Sequence, residues 1–388
     1  MTTRPREDNY SRDTKRQRTN QNIFRIKSNE FYEGTFPVYK QPQEFTSYSI
    51  DRQRRVWFDN REMKYYYPPT SEKKDLNGGY EDRIQRDESI PEHIDTLLDA
   101  ITHAKEDLSV DIVTWRGILT KILCTPYSRK EPWEFRATRY KDTIYIEEQV
   151  TEEKKRQESQ ATDRQKRMSY WGYRFETLCT VPKPPHLVLK SDLEKRMTET
   201  VNTNIQYCIV VKTKLGNNSI MMGAEVDCCR DVKPEDPLKQ PNNYIELKTS
   251  RIIETDRQQF SFERYKLLKF WAQSFLVGVP RIICGFRNDE GHVLDIQQFK
   301  TMEIPRLVRD KNTWNPSVCL NFADKVLNWI KSSITKSDAT VTYSIQYNYP
   351  FEEIKLECTG HAHVFLTQRF LDGTIQHEIG GPRANGLL

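Results

Sequence analysis

Apolar positions recur with two different periods along the chain, and the switches between them mark the elements. Ile94, Leu97, Leu98 and Ile101 sit at helical spacing within residues 92–106, with polar residues between them. A second helix is predicted over 114–123. Residues 133–139 and 143–150 read as two strands turning at Lys141-Asp142. The highly charged stretch 151–167 reads as a solvated helix or linker. From Met168 an amphipathic helix follows, with Trp171, Phe175 and Leu178 on one side.

The middle of the chain favours strands. Residues 207–215 and 219–227 form a predicted hairpin around Gly216-Asn217-Asn218, and a short strand covers 244–249 after a proline-containing loop. A long helix is expected over 261–276, where Leu267, Leu268, Trp271 and Phe275 share one side; that face reads as core. A strand over 281–286 and a helix over 323–334 complete the core. Upstream, residues 48–57 read as one strand, and Tyr65-Tyr66-Tyr67 before Pro68-Pro69 as a strand and turn. The pattern predicts one α/β domain over residues 23–388, with central mixed β-sheets flanked by helices.

Composition changes this picture only at the N-terminus. Apolar residues are 36% of the chain and charged residues 30%. Part of that polarity lies in residues 1–22, which carry six basic side chains and no large aliphatic residue before Ile23, so this tail is expected to be disordered. Its Lys15-Arg16-Gln17-Arg18 run reads as a nuclear address or as a plain solvated tail. Net charge is +5, with 60 basic residues against 55 acidic ones, which permits a local basic groove without making the whole surface a polyanion trap. No apolar run reaches the roughly 18 residues of a membrane span. Eight scattered cysteines without a CxxC pair suit buried thiols in a reducing compartment. A soluble intracellular protein is the expectation.

Two fragments carry candidate chemistry, Glu225-Val-Asp227 and Glu246-Leu-Lys248. Side chains alternate across a strand, so each fragment aims both ionisable groups at one face. If the two strands are neighbours, three carboxylates and one ammonium converge. Such a group of acids repels itself unless a cation compensates it, and oxygen ligands favour magnesium or manganese. Glu176, among the aromatics of Tyr170-Trp-Gly-Tyr-Arg-Phe-Glu176, supplies a fourth acid unless it pairs with Arg174. The set suits phosphodiester hydrolysis, and the order acid, Glu-x-Asp, Glu-x-Lys is similar to the nuclease core written PD-(D/E)xK. Either fragment alone is also an ordinary charged surface strand.

Several motifs in a fixed order resemble the DXO family of RNA decapping nucleases: Thr114-Trp-Arg-Gly117, Trp171-Gly-Tyr-Arg-Phe-Glu176, Gly223-Ala-Glu-Val-Asp-Cys228, Tyr244-Ile-Glu-Leu-Lys-Thr-Ser250 and Lys266 through Pro280. The resemblance spans roughly residues 46–321. It implies that Glu176, Glu225, Asp227 and Glu246 bind divalent metal, magnesium or manganese, together with the backbone carbonyl of Leu247. It implies a catalytic Lys248 alongside Glu225, Asp227 and Glu246. Substrate contacts are implied at Arg116, Gln273, Glu225 and Lys248 and, on looser motifs, at Arg54, Glu92 and Cys208. The family hydrolyses RNA 5′ ends bearing triphosphate, incompletely methylated caps or NAD caps, some members degrade RNA from the 5′ end, and fungal members partner a nuclear 5′-to-3′ exoribonuclease. The implied protein is a nuclear enzyme of 5′-end quality control.

A non-catalytic scaffold for such an exoribonuclease is the competing reading, and retention of four acids and a lysine argues against it. A DNA nuclease with the same core is a third. Trp57, Tyr65, Trp115 and Trp171 are candidate base-stacking residues, although each suits core packing as well. His361-Ala-His363 reads as a surface strand rather than a metal site, and Cys228-Cys229 as a buried thiol pair. No glycine-rich phosphate loop is present.

Overall fold

The computed structural model describes residues 22–69, 74–87, 89–90, 92–105, 108–236 and 241–375; the expected basic tail and its Lys15–Arg18 run lie outside them, apart from Asn22. The strands are β1 (Ile23–Arg25), β2 (Tyr39–Ile50), β3 (Val56–Trp57), β4 (Tyr65–Tyr66), β5 (Ile112–Trp115), β6 (Trp133–Tyr140), β7 (Thr143–Gln149) and β8 (Thr180–Val181). They continue as β9 (Gln206–Leu215), β10 (Asn218–Glu225), β11 (Cys228–Cys229), β12 (Tyr244–Arg251), β13 (Arg281–Arg287), β14 (Val293–Lys300), β15 (Thr342–Tyr347) and β16 (Glu353–Gly360). The principal helices are α1 (Asp95–Ala104), α2 (Arg116–Cys124), α3 (Glu152–Ser159), α4 (Asp163–Cys179), α5 (Lys190–Thr198), α6 (Leu268–Val277) and α7 (Pro316–Ser333).

Two mixed sheets result. One has ten strands in the order β1-β16-β15-β6-β7-β5-β10-β9-β2-β3; the other has six, β14-β13-β12-β11-β4-β8. In the larger sheet β5 pairs in parallel with both β7 and β10, and the smaller contains the parallel pair β12–β13. The α/β class with mixed sheets and flanking helices is therefore as expected. The largest apolar cluster lies where α2, α6 and α7 cover both sheets, with Trp271, Phe286 and Phe322 fully buried within it. A second cluster packs α1 against Tyr48, Val113 and Met221 on the larger sheet. A third packs α4 against Ile245, Leu247 and Ile283 of the smaller.

Several boundaries differ from the periodicity, each for a local reason. The expected strand 48–57 is a hairpin, because Asp51 accepts the backbone N–H groups of Gln53 and Arg55 and Arg54 takes a left-handed φ of 64°. The expected helix 114–123 begins at Arg116, since Thr114 and Trp115 still pair with β7 and β10. The stretch 151–167 is helical: Thr151 caps α3, and a Thr162–Gln165 capping box starts α4 well before its aromatic stripe. The long helix extends upstream to Asp256 through a π-helical turn over Phe262–Leu267. His361-Ala-His363 lies in the turn after β16, not on a strand, and His361 Nδ1 sits 3.1 Å from the Thr340 carbonyl. Seven of the eight cysteines, Cys228 and Cys229 included, are free and buried, whereas Cys358 is exposed. Among the described residues no helix is long and apolar enough to cross a membrane.

Candidate active site

The acids converge where the chain passes from one sheet to the other. Glu225 ends β10 in the larger sheet, Asp227 lies in the two-residue link, and Cys228 begins β11 in the smaller. The strands carrying Glu225 and Glu246 are therefore not neighbours, contrary to the simple expectation. What joins them is the β11–β12 register: Cys228 pairs with Ile245, and pairing then stops. The next position along places Asp227 beside β12, where its Oδ2 accepts the Leu247 N–H at 2.6 Å. A strand residue directs its carbonyl to the same side as its N–H, so the Leu247 carbonyl opens toward the acids.

Glu246 is the fixed point of the cluster. Its side chain is 2% exposed, with Oε2 accepting from Arg116 Nη1 at 2.9 Å and Oε1 from Lys248 Nζ at 2.6 Å. Burial alone would raise its pKa, but the two cations outweigh burial and hold it at about 2. Arg116 reaches the site because it is the first residue of α2, directly after β5, the strand paired with β10.

The other acids lack such compensation. Burial, together with the Glu246 charge, pushes Asp227 up to about 7. Glu176 is raised well above the carboxylate range by burial and by Asp227 and Glu225. It does not pair with Arg174, whose guanidinium instead donates to the Glu199 carbonyl at 3.0 Å and to that of Met197. Burial raises Glu225, while Gln206 Nε2 donates to its Oε2 at 3.0 Å and opposes the shift. Among the described residues no three of these groups have closed to the spacing of a filled metal site. The donor set nevertheless fits a hard divalent cation, because oxygen ligands from four acids and one carbonyl converge with too little positive charge to match them.

Glu176 owes its position to a close approach. α4 lies across the smaller sheet, and a Cβ on Gly285 of β13 would come within 2.5 Å of the Phe175 ring. The bare backbone at Gly285 thus lets Phe175, and with it Glu176, sit down on the sheet. Trp171 on the same helix is buried, donates to Asn77 Oδ1 at 3.0 Å, and packs as core. Tyr65, Trp57 and Trp115 stay half-buried, and Arg61 stacks 3.6 Å from the Trp57 ring centroid.

The less secure substrate positions divide. Arg54 and Glu92 form an ion pair, and Arg54 Nη1 donates to Gln206 Oε1 at 2.6 Å, so both join Glu225 through Gln206. Cys208 stands directly across from Glu225 in the β9–β10 register, but its thiol is buried beside Tyr48 and burial pushes its pKa up. Gln273 is half-buried on α6, which packs on α2, and among the described residues its side chain takes no hydrogen-bond partner. Sequence reasoning missed Gln206, Lys64 and Arg86. Gln206 was reachable: it lies two residues before Cys208 on one strand, and alternation puts both on the face that meets Glu225.

Two mixed sheets that bring three acids and a lysine to one seam, with a fourth acid from α4, define a nuclease core of the PD-(D/E)XK kind. The chain belongs to the family described as RAI1 like PD-(D/E)XK nuclease, which matches residues 40–371. It is 37% identical over 361 residues to the decapping nuclease RAI1 of Neurospora crassa, covering 90% of this chain and 86% of that one. It is 40% identical over 333 residues to the decapping and exoribonuclease protein of Xenopus laevis, covering 80% of each. The crystal structure of Candida albicans Rai1 in complex with pU5 and Mn2+ superposes with a TM-score of 0.83 at 31% identity, covering 90% of this chain and 98% of that one. The protein is thus a hydrolase of the nuclease class.

Proposed function

We propose that the protein hydrolyses the 5′ ends of RNA with a divalent metal, converting 5′-triphosphate ends to monophosphate ends and removing incompletely methylated and NAD caps. The observation that carries this reading is the convergence of Glu176, Glu225, Asp227 and Glu246 on one seam, with Arg116 and Lys248 charge-paired to Glu246. The Candida neighbour's complex with pU5 and Mn2+ agrees with a divalent metal and an RNA substrate. A metal held by the four acids and the Leu247 carbonyl would supply positive charge to the phosphoryl oxygens and lower the pKa of the attacking water.

The chain's own residues then divide the work. Asp227 would hold the metal beside the attacking water, its Oδ2 kept in place by the Leu247 N–H. Lys248 and Arg116 face the charge that grows on the phosphoryl oxygens, Glu246 holding both in place. In the triphosphate reaction a water oxygen bonds to the α-phosphorus and the bond from that phosphorus to the α–β bridging oxygen breaks. Pyrophosphate leaves with that electron pair, and the proton lost by the attacking water passes to solvent.

Purified protein with magnesium or manganese is expected to release pyrophosphate from 5′-triphosphate RNA. The Glu225→Ala, Asp227→Ala double variant should lose at least about a thousandfold in rate while keeping its circular dichroism spectrum. Activity that survives in the double variant in metal-stripped buffer would remove the reading of these acids as a metal-dependent active site, whereas a parent protein without activity would favour the scaffold. The reading extends to 5′-end quality control in the nucleus beside a 5′-to-3′ exoribonuclease. Co-purification and fluorescence localisation test that part.

A further inference from the structure

A cavity of about 210 Å³ opens beside the acids, and its walls carry opposite charge. Glu176 and Glu225 line it together with Lys64, Arg86, Gln206 and Glu199. Lys64 lies immediately before β4, is half-buried, and among the described residues forms no ion pair. Its charge is felt at Glu176, and that of Arg86 at Glu225. Lys64 thus has carboxylate charge nearby, at Glu62 and Glu176, but among the described residues no salt-bridged partner, which leaves its ammonium able to donate to an anionic ligand.

The wall bearing Arg86 is built rather than incidental. Ile84 forms a parallel bridge with Asn202, its N–H donating to the Val201 carbonyl at 2.9 Å and its carbonyl accepting the Thr203 N–H at 3.0 Å. The Arg86 N–H then donates to Thr203 Oγ1 at 2.8 Å, and Glu92 accepts from Arg86 Nη1 at 3.1 Å. These contacts fix the segment preceding the guanidinium against the strip 201–203 that lines the cavity.

A cavity lined by both acids and cations suits a ligand whose anionic oxygens meet Lys64 and Arg86 directly and reach Glu176 and Glu225 only through a divalent metal that those acids would hold. Linked phosphates carry anionic oxygens enough for both. We propose that this cavity receives the departing phosphates of a 5′-triphosphate RNA, with Lys64 and Arg86 holding the pyrophosphate as the bond to the α-phosphorus breaks. The inference rests on the functional reading above and deepens it. The acids would hold the phosphate under attack through a bound metal, and the two cations the phosphates beyond it. Neither Lys64 nor Arg86 contacts the Arg116–Glu246–Lys248 triad, so their effect is separable from that of the attacking side.

Two measurements test this, one of them independent of turnover. Calorimetric titration of inorganic pyrophosphate into the full chain with manganese in excess reads the cavity directly. Lys64→Met and Arg86→Met are each expected to weaken pyrophosphate binding about tenfold, and the double variant about a hundredfold, as loss of charge-assisted contacts implies. Lys64→Arg should recover most of the loss, and 5′-monophosphate RNA should bind all of these proteins alike. Added pyrophosphate should also inhibit conversion of triphosphate RNA less in the Met variants than in the parent. Unchanged pyrophosphate affinity in the double variant overturns the inference. So does an equal loss for 5′-monophosphate RNA, which would place the two cations on the RNA chain. A parent protein that binds pyrophosphate in this cavity yet never hydrolyses triphosphate RNA would instead overturn the functional reading alone.

Discussion

Asp227 sits where its buried charge costs stability. Its ordinary pKa is about 3.9 in an unfolded chain, whereas burial and the Glu246 charge push it to about 7 in the metal-free fold. An acid whose folded pKa is raised binds more protons folded than unfolded. Stability therefore falls as pH rises from about 4 to about 7, and the loss is complete above that window. Glu176 shifts in the same direction. Glu246 runs the other way: held at about 2, it contributes stability that is present above about 4.5 and is lost as pH falls toward 2. Replacing Asp227 by Asn removes the repulsion without changing shape. In metal-free buffer at pH 8, Asp227→Asn is expected to raise Tm by about 2 °C, and with magnesium or manganese present it should abolish pyrophosphate release. At pH 5 the parent is largely protonated at this position, so the gain should vanish. Scanning fluorimetry at the two pH values checks this, and a gain of equal size at both would show that the carboxylate is not the source of strain.

At the scale of elements, α4 is placed by one glycine and tolerates change at another. A methyl group on Gly285 would meet the Phe175 ring at 2.5 Å, lifting α4 from the smaller sheet and carrying Glu176 with it. Gly285→Ala is expected to cost about 2 kcal/mol, as overpacking of a core does, and to lower turnover beyond what the unfolded fraction explains. Gly172, one turn before Glu176, has nothing within 4 Å of its would-be Cβ. There alanine should stabilise the helix by about 0.5–1 kcal/mol. Urea unfolding of both variants decides the matter, and destabilisation at Gly172 comparable to that at Gly285 would refute the packing account. The same helix shows what was legible in the sequence. Its apolar stripe revealed the segment from Met168, but its start at Asp163 is set by a Thr162–Gln165 capping box, a polar signal that hydrophobic period does not carry. The β9–β10 hairpin was plain because a Gly-Asn-Asn turn separates two apolar runs. The hairpin of β15 and β16 was not, since β16 alternates Ile354 and Leu356 with charged neighbours over too short a span to stand out. The acids themselves were readable from spacing, whereas their meeting across two sheets was not. Adjacency of Asp227 and Leu247 depends on where β11 stops pairing, which is a tertiary fact.

For the whole molecule, the seam must also be held from behind, because Glu225 and Glu246 hang from different sheets. A buried polar cluster does this. Lys233, in the loop between β11 and β12, donates to Glu44 of β2 at 2.6 Å and to the Tyr207 hydroxyl of β9 at 2.9 Å. Tyr244 of β12 donates its hydroxyl to the other Glu44 oxygen at 2.8 Å. Glu44 is 2% exposed, and burial raises its pKa despite Lys233. One carboxylate thus ties the larger sheet to the smaller, and its charge is tolerable only while Lys233 stays beside it. Lys233→Met is expected to cost about 3 kcal/mol at pH 8, the range for stripping one partner from a buried pair. Without the lysine the Glu44 pKa rises further, so the folded protein takes up a proton that the unfolded chain releases. The cost should therefore shrink as pH falls toward 5. Adding Glu44→Gln to Lys233→Met removes the stranded charge and should recover about half of the stability or more. Activity should not return with it, because the amide no longer draws the two sheets together through paired charges and the distance from Glu225 to Glu246 is released. Urea titrations at pH 5 and pH 8, run beside pyrophosphate release for the two variants, separate the outcomes. If the double variant regains full activity along with its stability, the cluster is only a packing element and the acids are aligned by the strands alone.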